Sequence, residues 1–282
     1  MNAAEFKNVS FTYSKGGSHV TKALDSVDLV IEEGAVTGVI GATGSGKSTL
    51  VQMLNGLIKP DRGTVTVFGE DLWDKKTKLK SIRAKVGLVM QYPEYQLFDE
   101  TVAKDISFGP KNMGVLGKEL EERVLRAADF AGLDRALLQK SPFELSGGQK
   151  RRAALAGVMA MEPKMLVLDE PAAGLDPSGR REILGRIREY GKKRSVSVVI
   201  VSHSMEDMAS YCERLVVLKE GRVIGSDLTE RIFSDPEMLT AAGLDVPAVT
   251  KVAYELEKLG CGVGRDVYTV GYAAEKLLSK LS

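Results

Sequence analysis

The chain has 282 residues, of which 44% are hydrophobic, so it is long enough for one large domain with an appendage. Its 39 basic and 38 acidic residues nearly cancel, which argues against a protein that binds nucleic acid through its overall field. Residues 1–13 lack the apolar core of a signal peptide, and no stretch approaches the ~20 apolar residues of a membrane span. We therefore expect a soluble cytoplasmic protein that meets a membrane only through a partner.

The chain begins with two predicted strands. Residues 5–13 and 27–31 alternate between apolar and polar side chains, as half-buried strands do, and residues 14–18 are predicted to turn between them. Residues 36–40 are apolar and β-branched, which predicts a fully buried strand, and residues 48–54 carry apolar side chains at helical spacing.

Residues 41–48, GATGSGKS, connect that strand to that helix and have the spacing of a phosphate-binding P-loop. Glycines allow the backbone to approach an anion, and the amides and dipole of the helix start favour it. Lys47 is predicted to reach the β- and γ-phosphates of a nucleotide, and the Ser48 hydroxyl to hold Mg²⁺. The alternative is a glycine turn that matches by chance, and the flanking strand and helix argue against it.

Beyond the P-loop helix, strands and helices alternate. Strands are predicted at residues 63–68, 85–90, 164–170 and 196–201, a hairpin at 214–225, and helices at 119–133, 148–161, 178–193 and 204–212. Such alternation predicts an α/β fold with a mainly parallel sheet, interrupted by a helical insertion at residues 92–161. In the tail we predict a helix at 246–259, a turn at 260–264, a short strand at 267–270 and a helix at 273–281.

Two carboxylates end the predicted strand at residues 164–170. Asp169 and Glu170 follow an apolar run, at the edge of the sheet where open α/β folds place their ligands. Asp169 is predicted to hold Mg²⁺ through water, and Glu170 to polarise an attacking water molecule. Such a strand end is weak evidence by itself, but it is strong evidence in a chain that also has a P-loop.

Residues 145–149, LSGGQ, open the predicted helix at 148–161. A serine and two glycines at a helix start can bind an anion or simply cap the helix. Between a P-loop and a strand that ends in Leu-Asp-Glu-Pro, this pentapeptide resembles the signature motif of ATP-binding-cassette (ABC) ATPases. The resemblance covers residues 6–233.

The resemblance implies the P-loop NTPase fold of ABC ATPases, with a mainly parallel core sheet, an antiparallel β-subdomain, the helical insertion and a small C-terminal α/β extension. The ATP-binding domain would span residues 1–235, and the extension, residues 236–282, is a predicted dimer contact. The alternative for the extension is a small satellite that caps the sheet. Its apolar residues Val252, Leu256 and Leu259 fit either role.

Further site residues follow from the resemblance alone. Tyr13 resembles the aromatic residue that stacks on adenine, and Gln91 resembles the glutamine that links the metal site to the helical insertion. His203 resembles the switch histidine at the γ-phosphate, and residues 174–176 resemble the D-loop. Without the resemblance, Tyr13 would be assigned to packing and His203 would carry a low functional expectation.

The candidate site residues form three groups. The catalytic residues are Glu170, His203 and Gln91, and the metal ligands are Ser48, Gln91 and Asp169. The residues expected to bind the nucleotide are Tyr13, Gly41, Ala42, Thr43, Gly44, Ser45, Gly46, Lys47, Ser48, Thr49, Ser146, Gly147, Gly148, Gln149 and Asp176. ATP and Mg²⁺ are the expected cofactors.

The resemblance also implies a mechanism. Two ATPase domains pack head to tail and hold ATP between the P-loop of one and the signature helix of the other, so that hydrolysis loosens the pair. Lys47 meets the γ-phosphate charge, Glu170 orients or deprotonates water, and His203 stabilises the arrangement. Because the signature and the Glu170 side are both intact, this chain need not be the inactive member of an asymmetric pair.

Residues 91–98 (QYPEYQLF), 101–110 and 145–157 are similar to the ATPases of energy-coupling-factor (ECF) transporters. These bacterial and archaeal importers take up vitamins or transition-metal ions. Two identical or closely related ATPases sit under a transmembrane coupling protein (T component), which holds a substrate-binding membrane protein (S component). Residues 41–44 and 244–259 resemble the second ATPase type of the heterodimeric version, so we expect a peripheral protein at the cytoplasmic face of the cell membrane.

Other functions remain open. The ATPase of a conventional binding-protein-dependent ABC importer would use the same chemistry. Soluble ABC proteins that act on DNA or ribosomes carry a long coiled-coil interruption or two cassettes, and this chain shows neither. A scaffold with inactive sites is disfavoured by Lys47, Glu170 and His203.

The aromatic segment, which we define as residues 92–98, also allows two interpretations. Exposed aromatic side chains just after Gln91 would line a groove for an amphipathic helix of a partner. Alternatively, Tyr95 and Phe98 form the core of the helical insertion.

Overall fold

Two β-sheets carry the fold of the computed structural model, which describes residues 1–14, 20–261, 263–264 and 267–281. In chain order the elements are β1 (Asn2–Tyr13), β2 (Thr21–Glu32), β3 (Val36–Gly41), α1 (Lys47–Leu54), β4 (Arg62–Val67), β5 (Glu70–Asp71), α2 (Leu79–Lys85), β6 (Val86–Val89), α3 (Val102–Asn112), α4 (Gly117–Ala131), α5 (Gly147–Met159), β7 (Met165–Asp169), α6 (Pro177–Arg194), β8 (Ser197–Val201), α7 (Met205–Tyr211), β9 (Arg214–Lys219), β10 (Arg222–Leu228), α8 (Thr229–Phe233), α9 (Pro236–Ala241), α10 (Ala248–Lys258) and α11 (Val270–Leu281). Short 3₁₀ helices occur at Pro93–Gln96, Arg135–Leu137 and Pro142–Glu144. The turn predicted at residues 14–18 lies outside the described residues from position 15 onward, as do parts of the one predicted at 260–264.

The six-stranded sheet has the order β10-β9-β3-β8-β7-β6. Its strands run parallel except for β10, which pairs antiparallel with β9 at one edge. Every residue of β3, β7 and β8 is buried, as expected for strands that are covered on both faces. Val201 of β8 lies opposite both Val39 of β3 and Asp169 of β7, so the segments that follow these strands leave the sheet at one edge.

The other sheet is antiparallel, in the order β2-β1-β4-β5. Its inward residues, among them Phe6, Leu29 and Val65, share a core with Leu50 and Met53 of α1. The P-loop helix is therefore packed between the two sheets. The antiparallel β-subdomain that the resemblance implies and the predicted mainly parallel sheet are both confirmed.

The helical insertion consists of α3, α4 and α5 between β6 and β7, as predicted. Its apolar side chains join the core of the six-stranded sheet. Glu162, just after α5, forms ion pairs with Arg126 of α4 at 3.3 Å and with Arg194 of α6 at 2.6 Å. These ion pairs join the insertion to α6, which packs on the six-stranded sheet.

In the tail, the prediction of a strand at residues 267–270 is wrong. Val267 is buried in a small cluster with Ala253 and Val263, and Val270 already begins α11. A short apolar run stabilises a strand only where a neighbouring strand completes its hydrogen bonds, so packing against α10 decides the structure here. Over its described residues the extension contains helices and no strand, contrary to the expected α/β composition. Its boundary at residue 235 stays a prediction.

The helices α2, α8 and α9 were not predicted, because they are too short to show a helical period in the sequence. Within α2 only Ile82 is buried, and within α9 only Leu239. Across the described ranges, no helix combines the length and the hydrophobicity that crossing a membrane requires.

Candidate active site

The P-loop backbone depends on its glycines. Gly44 and Gly46 have φ of 80° and 105°, in the left-handed region that favours glycine. A Cβ at Gly46 would lie 2.4 Å from the carbonyl oxygen of Ala23. α1 starts at Lys47 with Gly46 as its N-cap, where no side chain accepts a hydrogen bond. The first amides of α1 are therefore available to an anion.

Two buried polar side chains lie within this loop. Lys47 is only 6% exposed, and its Nζ donates to Gly41 O at 2.7 Å and to Ala42 O at 2.9 Å. Burial lowers the pKa of Lys47, against the opposing effect of nearby carboxylates. Ser45 Oγ is buried and has no hydrogen-bond partner among the residues that the structure describes. An ammonium group and an unpaired hydroxyl beside free amides fit the oxygen atoms of a phosphate chain.

Glu170 and His203 meet beside the end of β7. Glu170 has a φ of 52°, and its Oε1 lies 3.4 Å from His203 Nε2. This oxygen is buried, and it accepts no aligned hydrogen bond from the described part of the chain. Burial, and then the charge of Asp169, raise the pKa of Glu170 to about 7. Burial and the Lys47 ammonium lower the pKa of His203 from 6.5, so its imidazole is mostly neutral at pH 7. A carboxyl group that titrates near neutrality is suited to accept a proton from water.

A cavity of about 380 Å³ beside this pair is lined in part by residues that were not predicted from the sequence. Arg180 of α6 lines it, and its Nη1 lies 3.4 Å from Asp207 Oδ2 of α7. The positive charge of Arg180 acts against the rise in the pKa of Glu170. No local pattern distinguishes Arg180 from the other arginines of α6, so only its position in the fold reveals it.

Tyr13 lies beside the start of α1. Its hydroxyl is 3.2 Å from Thr49 Oγ1, and its ring packs edge-on against Phe11 with the ring centroids 4.8 Å apart. Because the residue is 41% exposed, part of the ring remains accessible for stacking. Thr49 thus contacts the predicted adenine-binding residue, and the contact of either residue with a nucleotide stays a prediction.

The three predicted metal ligands approach one edge of the sheet from different strands. Ser48 follows β3 through the P-loop, Asp169 ends β7, and Gln91 comes two residues after β6. Asp169 is buried, whereas Ser48 and Gln91 are exposed. A hydroxyl, a carboxylate and an amide supply the oxygen ligands that Mg²⁺ prefers when phosphates share its coordination, so the residues present fit this ion.

The signature residues form a capped helix start on an open surface. Ser146 Oγ accepts a hydrogen bond from the Gln149 amide at 3.4 Å, and Gln149 Oε1 accepts one from the Ser146 amide at 3.0 Å. Apart from the adjoining backbone of α5, no atom of the described residues lies within 4 Å of the place that a Cβ would take at Gly147 or Gly148. The capping interpretation is confirmed, and the two glycines leave room for another molecule to approach the backbone.

In the predicted D-loop, Asp176 caps α6. Its Oδ1 accepts a hydrogen bond from the Gly179 amide at 2.8 Å. Gly174, with a φ of 72°, turns the chain between Glu170 and Asp176. Contact between Asp176 and a nucleotide stays a prediction.

The aromatic segment is exposed. Tyr95 and Phe98 are 85% and 59% exposed, so the alternative that they form the core of the insertion is wrong. Phe98 packs edge-on against Phe108 of α3, with the ring centroids 5.1 Å apart. Asp105 Oδ1 accepts a hydrogen bond from the Phe98 amide at 3.2 Å, which anchors the end of the segment.

Comparisons with known proteins agree with these features. The family described as ABC transporter matches residues 24–173. A relative named energy-coupling factor transporter ATP-binding protein EcfA2, from Caldanaerobacter subterraneus subsp. tengcongensis, is 49% identical over 275 residues, which cover 98% of this chain and 96% of that protein. The structure of cbiO1 from Clostridium perfringens, part of the ABC transporter complex cbiONQ, has a TM-score of 0.76 at 35% identity and covers 92% of this chain and 97% of that one. The ATP-binding cassette MJ0796, a dimer in a post-hydrolysis state with ADP and Pi, has a TM-score of 0.72 at 30% identity and covers 80% of this chain and 98% of that one.

Proposed function

This chain belongs to the ABC transporter family, and within it to the energy-coupling factor transporter ATP-binding proteins, and on this basis we propose how its residues act. It is an ATPase subunit of an ECF-type importer. The imported substrate is a vitamin or a transition-metal ion, and the subunit works at the cytoplasmic face of the cell membrane through its partners.

The P-loop binds the phosphates of ATP. The free amides of α1 and the buried Ser45 hydroxyl donate to phosphate oxygens, and Lys47 contributes its charge. Tyr13 stacks on the adenine with the accessible part of its ring. Ser48, Asp169 and Gln91 hold Mg²⁺, which when bound neutralises phosphate charge.

Glu170 is the base of the reaction. With a pKa of about 7 and an unpaired buried oxygen, it can orient a water molecule and accept its proton at neutral pH. His203, 3.4 Å away and mostly neutral, keeps the carboxyl group in place and faces the γ-phosphate position. Lys47 stabilises the negative charge that develops on the phosphoryl group.

A second ATPase subunit completes the site. The open surface at Gly147 and Gly148 supports an approach of the signature helix to ATP that is bound on the other subunit. We assign residues 1–235 to the ATP-binding domain and residues 236–282 to the extension. Val252 and Leu259 of the extension are exposed, which supports a dimer contact there.

The aromatic segment is the surface for a membrane partner. Its exposed rings, held on α3, are suited to an amphipathic helix of the T component, which also carries the S component. A pull-down of the tagged full chain from its native membranes tests this assembly. Recovery of a T component, a second cassette ATPase and small S components supports it. A permease without such small proteins indicates a conventional importer, and recovery of no membrane protein indicates a soluble ABC protein.

The observation that carries the catalytic proposal is the position of the Glu170 carboxyl group, which is half-buried, lies 3.4 Å from His203 Nε2 and stands at the edge of the sheet that also bears the P-loop. Glu170→Gln should lower ATP hydrolysis by the purified transporter by roughly a thousandfold and change the Kd for ATP less than about threefold. Glu189→Gln, which removes an exposed carboxylate from α6, is the matched control. Hydrolysis near the wild-type rate in Glu170→Gln would contradict the proposal.

A further inference from the structure

One buried side chain joins three parts of the proposed machinery. Arg151 lies on α5, five residues after Ser146, and is 5% exposed. Its Nε and Nη2 donate to both oxygen atoms of Glu94, at 3.2 and 2.9 Å. Its Nη1 donates to the carbonyl oxygen of Ala173.

The two acceptors belong to different functional segments. Glu94 lies in the aromatic segment, one residue before the exposed Tyr95. Ala173 lies in the turn that follows Glu170, and its amide donates to the Glu170 carbonyl oxygen at 3.2 Å. Arg151 therefore connects the signature helix with the proposed membrane-facing surface on one side and with the backbone of the proposed base on the other.

The chemistry of arginine suits this connection. Burial acts to raise the pKa of Glu94, but the hydrogen bonds from Arg151, a backbone hydrogen bond and the positive charge of Arg151 together hold the pKa below its usual value, so the carboxylate stays charged at neutral pH. A guanidinium group is a rigid planar fork, which can grip a carboxylate with one edge and a carbonyl with another nitrogen. An ammonium group is a single point charge and cannot do both.

We propose that Arg151 is a positioning residue, which holds the aromatic segment, the signature helix and the turn after Glu170 in one fixed arrangement. This inference rests on the proposed function, because that function gives the three segments their roles. Loss of the guanidinium should let the segments shift relative to one another, and hydrolysis should slow while the P-loop still binds ATP.

Arg152 provides a matched control. It is the next residue of α5, and it likewise binds one carbonyl oxygen, that of Gly132 at 3.0 Å, and one carboxylate, that of Glu182 at 2.7 Å. Neither partner belongs to the three segments. In the purified transporter, Arg151→Gln should lower kcat for ATP hydrolysis about tenfold or more with KM changed less than about threefold, whereas Arg152→Gln should stay within about twofold for both.

Amide hydrogen exchange on the full chain measures positioning without hydrolysis. Tyr95 N donates to Tyr92 O at 3.2 Å, so the Tyr95 and Ala173 amides report on the two joined segments. Arg151→Gln should speed exchange at both amides about tenfold or more, and Arg152→Gln should speed neither. In Arg151→Lys, the Tyr95 amide should exchange about as slowly as in the wild type, while the Ala173 amide should exchange faster. This variant serves as the test if Arg151→Gln does not fold.

Unchanged exchange at both amides, or equal changes in Arg152→Gln, would overturn the proposal whatever happens to hydrolysis. A kcat that Arg151→Gln leaves unchanged would overturn it as well. A fully active Glu170→Gln would instead remove the proposed base, and exchange in the Arg151 variants would still decide whether Arg151 holds the segments together.

Discussion

The P-loop edge of the six-stranded sheet and the helical insertion differ in how much of their function one chain provides. At the P-loop edge, Lys47, Ser45 and Glu170 are buried or half-buried groups that converge within a single subunit. On the insertion, Gly147, Gly148 and the aromatic segment lie on the surface. We propose that the first region binds the nucleotide within one chain, and that the second region acts only when another molecule docks on its surface.

This difference separates the binding of ATP from its hydrolysis and from transport. We propose that a single chain can bind ATP at this edge, because the first amides of α1 and the Ser45 hydroxyl already lie there without partners among the described residues. If the surfaces of the insertion act only when a partner is bound, then hydrolysis and transport depend on the assembly of the transporter. Variants at the P-loop edge should therefore alter the isolated chain, and variants on the insertion should alter mainly the assembled transporter.

The largest effect outside the catalytic base is expected at Lys47. Lys47→Ala removes the buried ammonium from the P-loop, so the Kd of the isolated chain for Mg-ATP should rise about a hundredfold. Isothermal titration of the wild type and the variant measures this change, with Lys118→Ala, an exposed lysine of α4, as the control. An unchanged Kd would show that the phosphates bind elsewhere and that this edge of the sheet is not the nucleotide site.

The pH dependence of hydrolysis should follow. Because the pKa of Glu170 is raised to about 7, its base form is lost as the pH falls through 7, and kcat/KM should drop about tenfold per unit well below that value. The rate should be measured from about pH 5.5 to 8.5. The Kd of Glu170→Gln for ATP over the same range corrects for protonation of ATP itself. If kcat/KM stayed constant down to about pH 5.5, the raised pKa of Glu170 would have no part in the mechanism.

A smaller effect is expected in the aromatic segment. Tyr95→Ala removes an exposed ring, so substrate uptake per ATP hydrolysed should fall roughly three- to tenfold, while ATP binding by the isolated chain stays unchanged. Leu116→Ala, which truncates another exposed apolar residue of the insertion, is the control. Uptake in reconstituted vesicles at the wild-type ratio would exclude this surface as the coupling contact.

The smallest expected effect concerns the helix cap. Ser146→Ala removes one half of the reciprocal cap of α5, which should cost about 1 kcal/mol and lower the Tm of the isolated chain by roughly 2–4 °C. Ser146→Gly, which keeps a favourable N-cap residue, should lose only a fraction of that. A larger loss in thermal unfolding would show that the signature region also carries packing energy within the subunit.

Local patterns allowed part of this structure to be predicted from the sequence. Fully buried parallel strands are continuous apolar runs, so β3, β7 and β8 were recognisable, and the spacing at residues 41–48 identified the P-loop. Tyr13 and His203 were proposed as site residues only by resemblance to a family, because a tyrosine at a strand end and a lone histidine carry no local signal.

The long-range contacts were not predictable in this way. Glu94 and Arg151 are 57 residues apart, and Arg180 meets Asp207 across two helices. Nothing in the spacing of either pair indicates a contact. The prediction of a strand at residues 267–270 was wrong for the same reason, since a strand depends on a neighbouring strand that the local sequence does not reveal.

The backbone at Glu170 has a consequence for protein engineering. A left-handed φ of 52° costs a non-glycine residue on the order of 1 kcal/mol or more, and an unpaired buried carboxyl oxygen adds to that cost. Glycine would relieve both penalties, so a search for stabilising substitutions would favour it at this position. That substitution would remove the proposed base, so residue 170 should be held constant when the protein is made more stable.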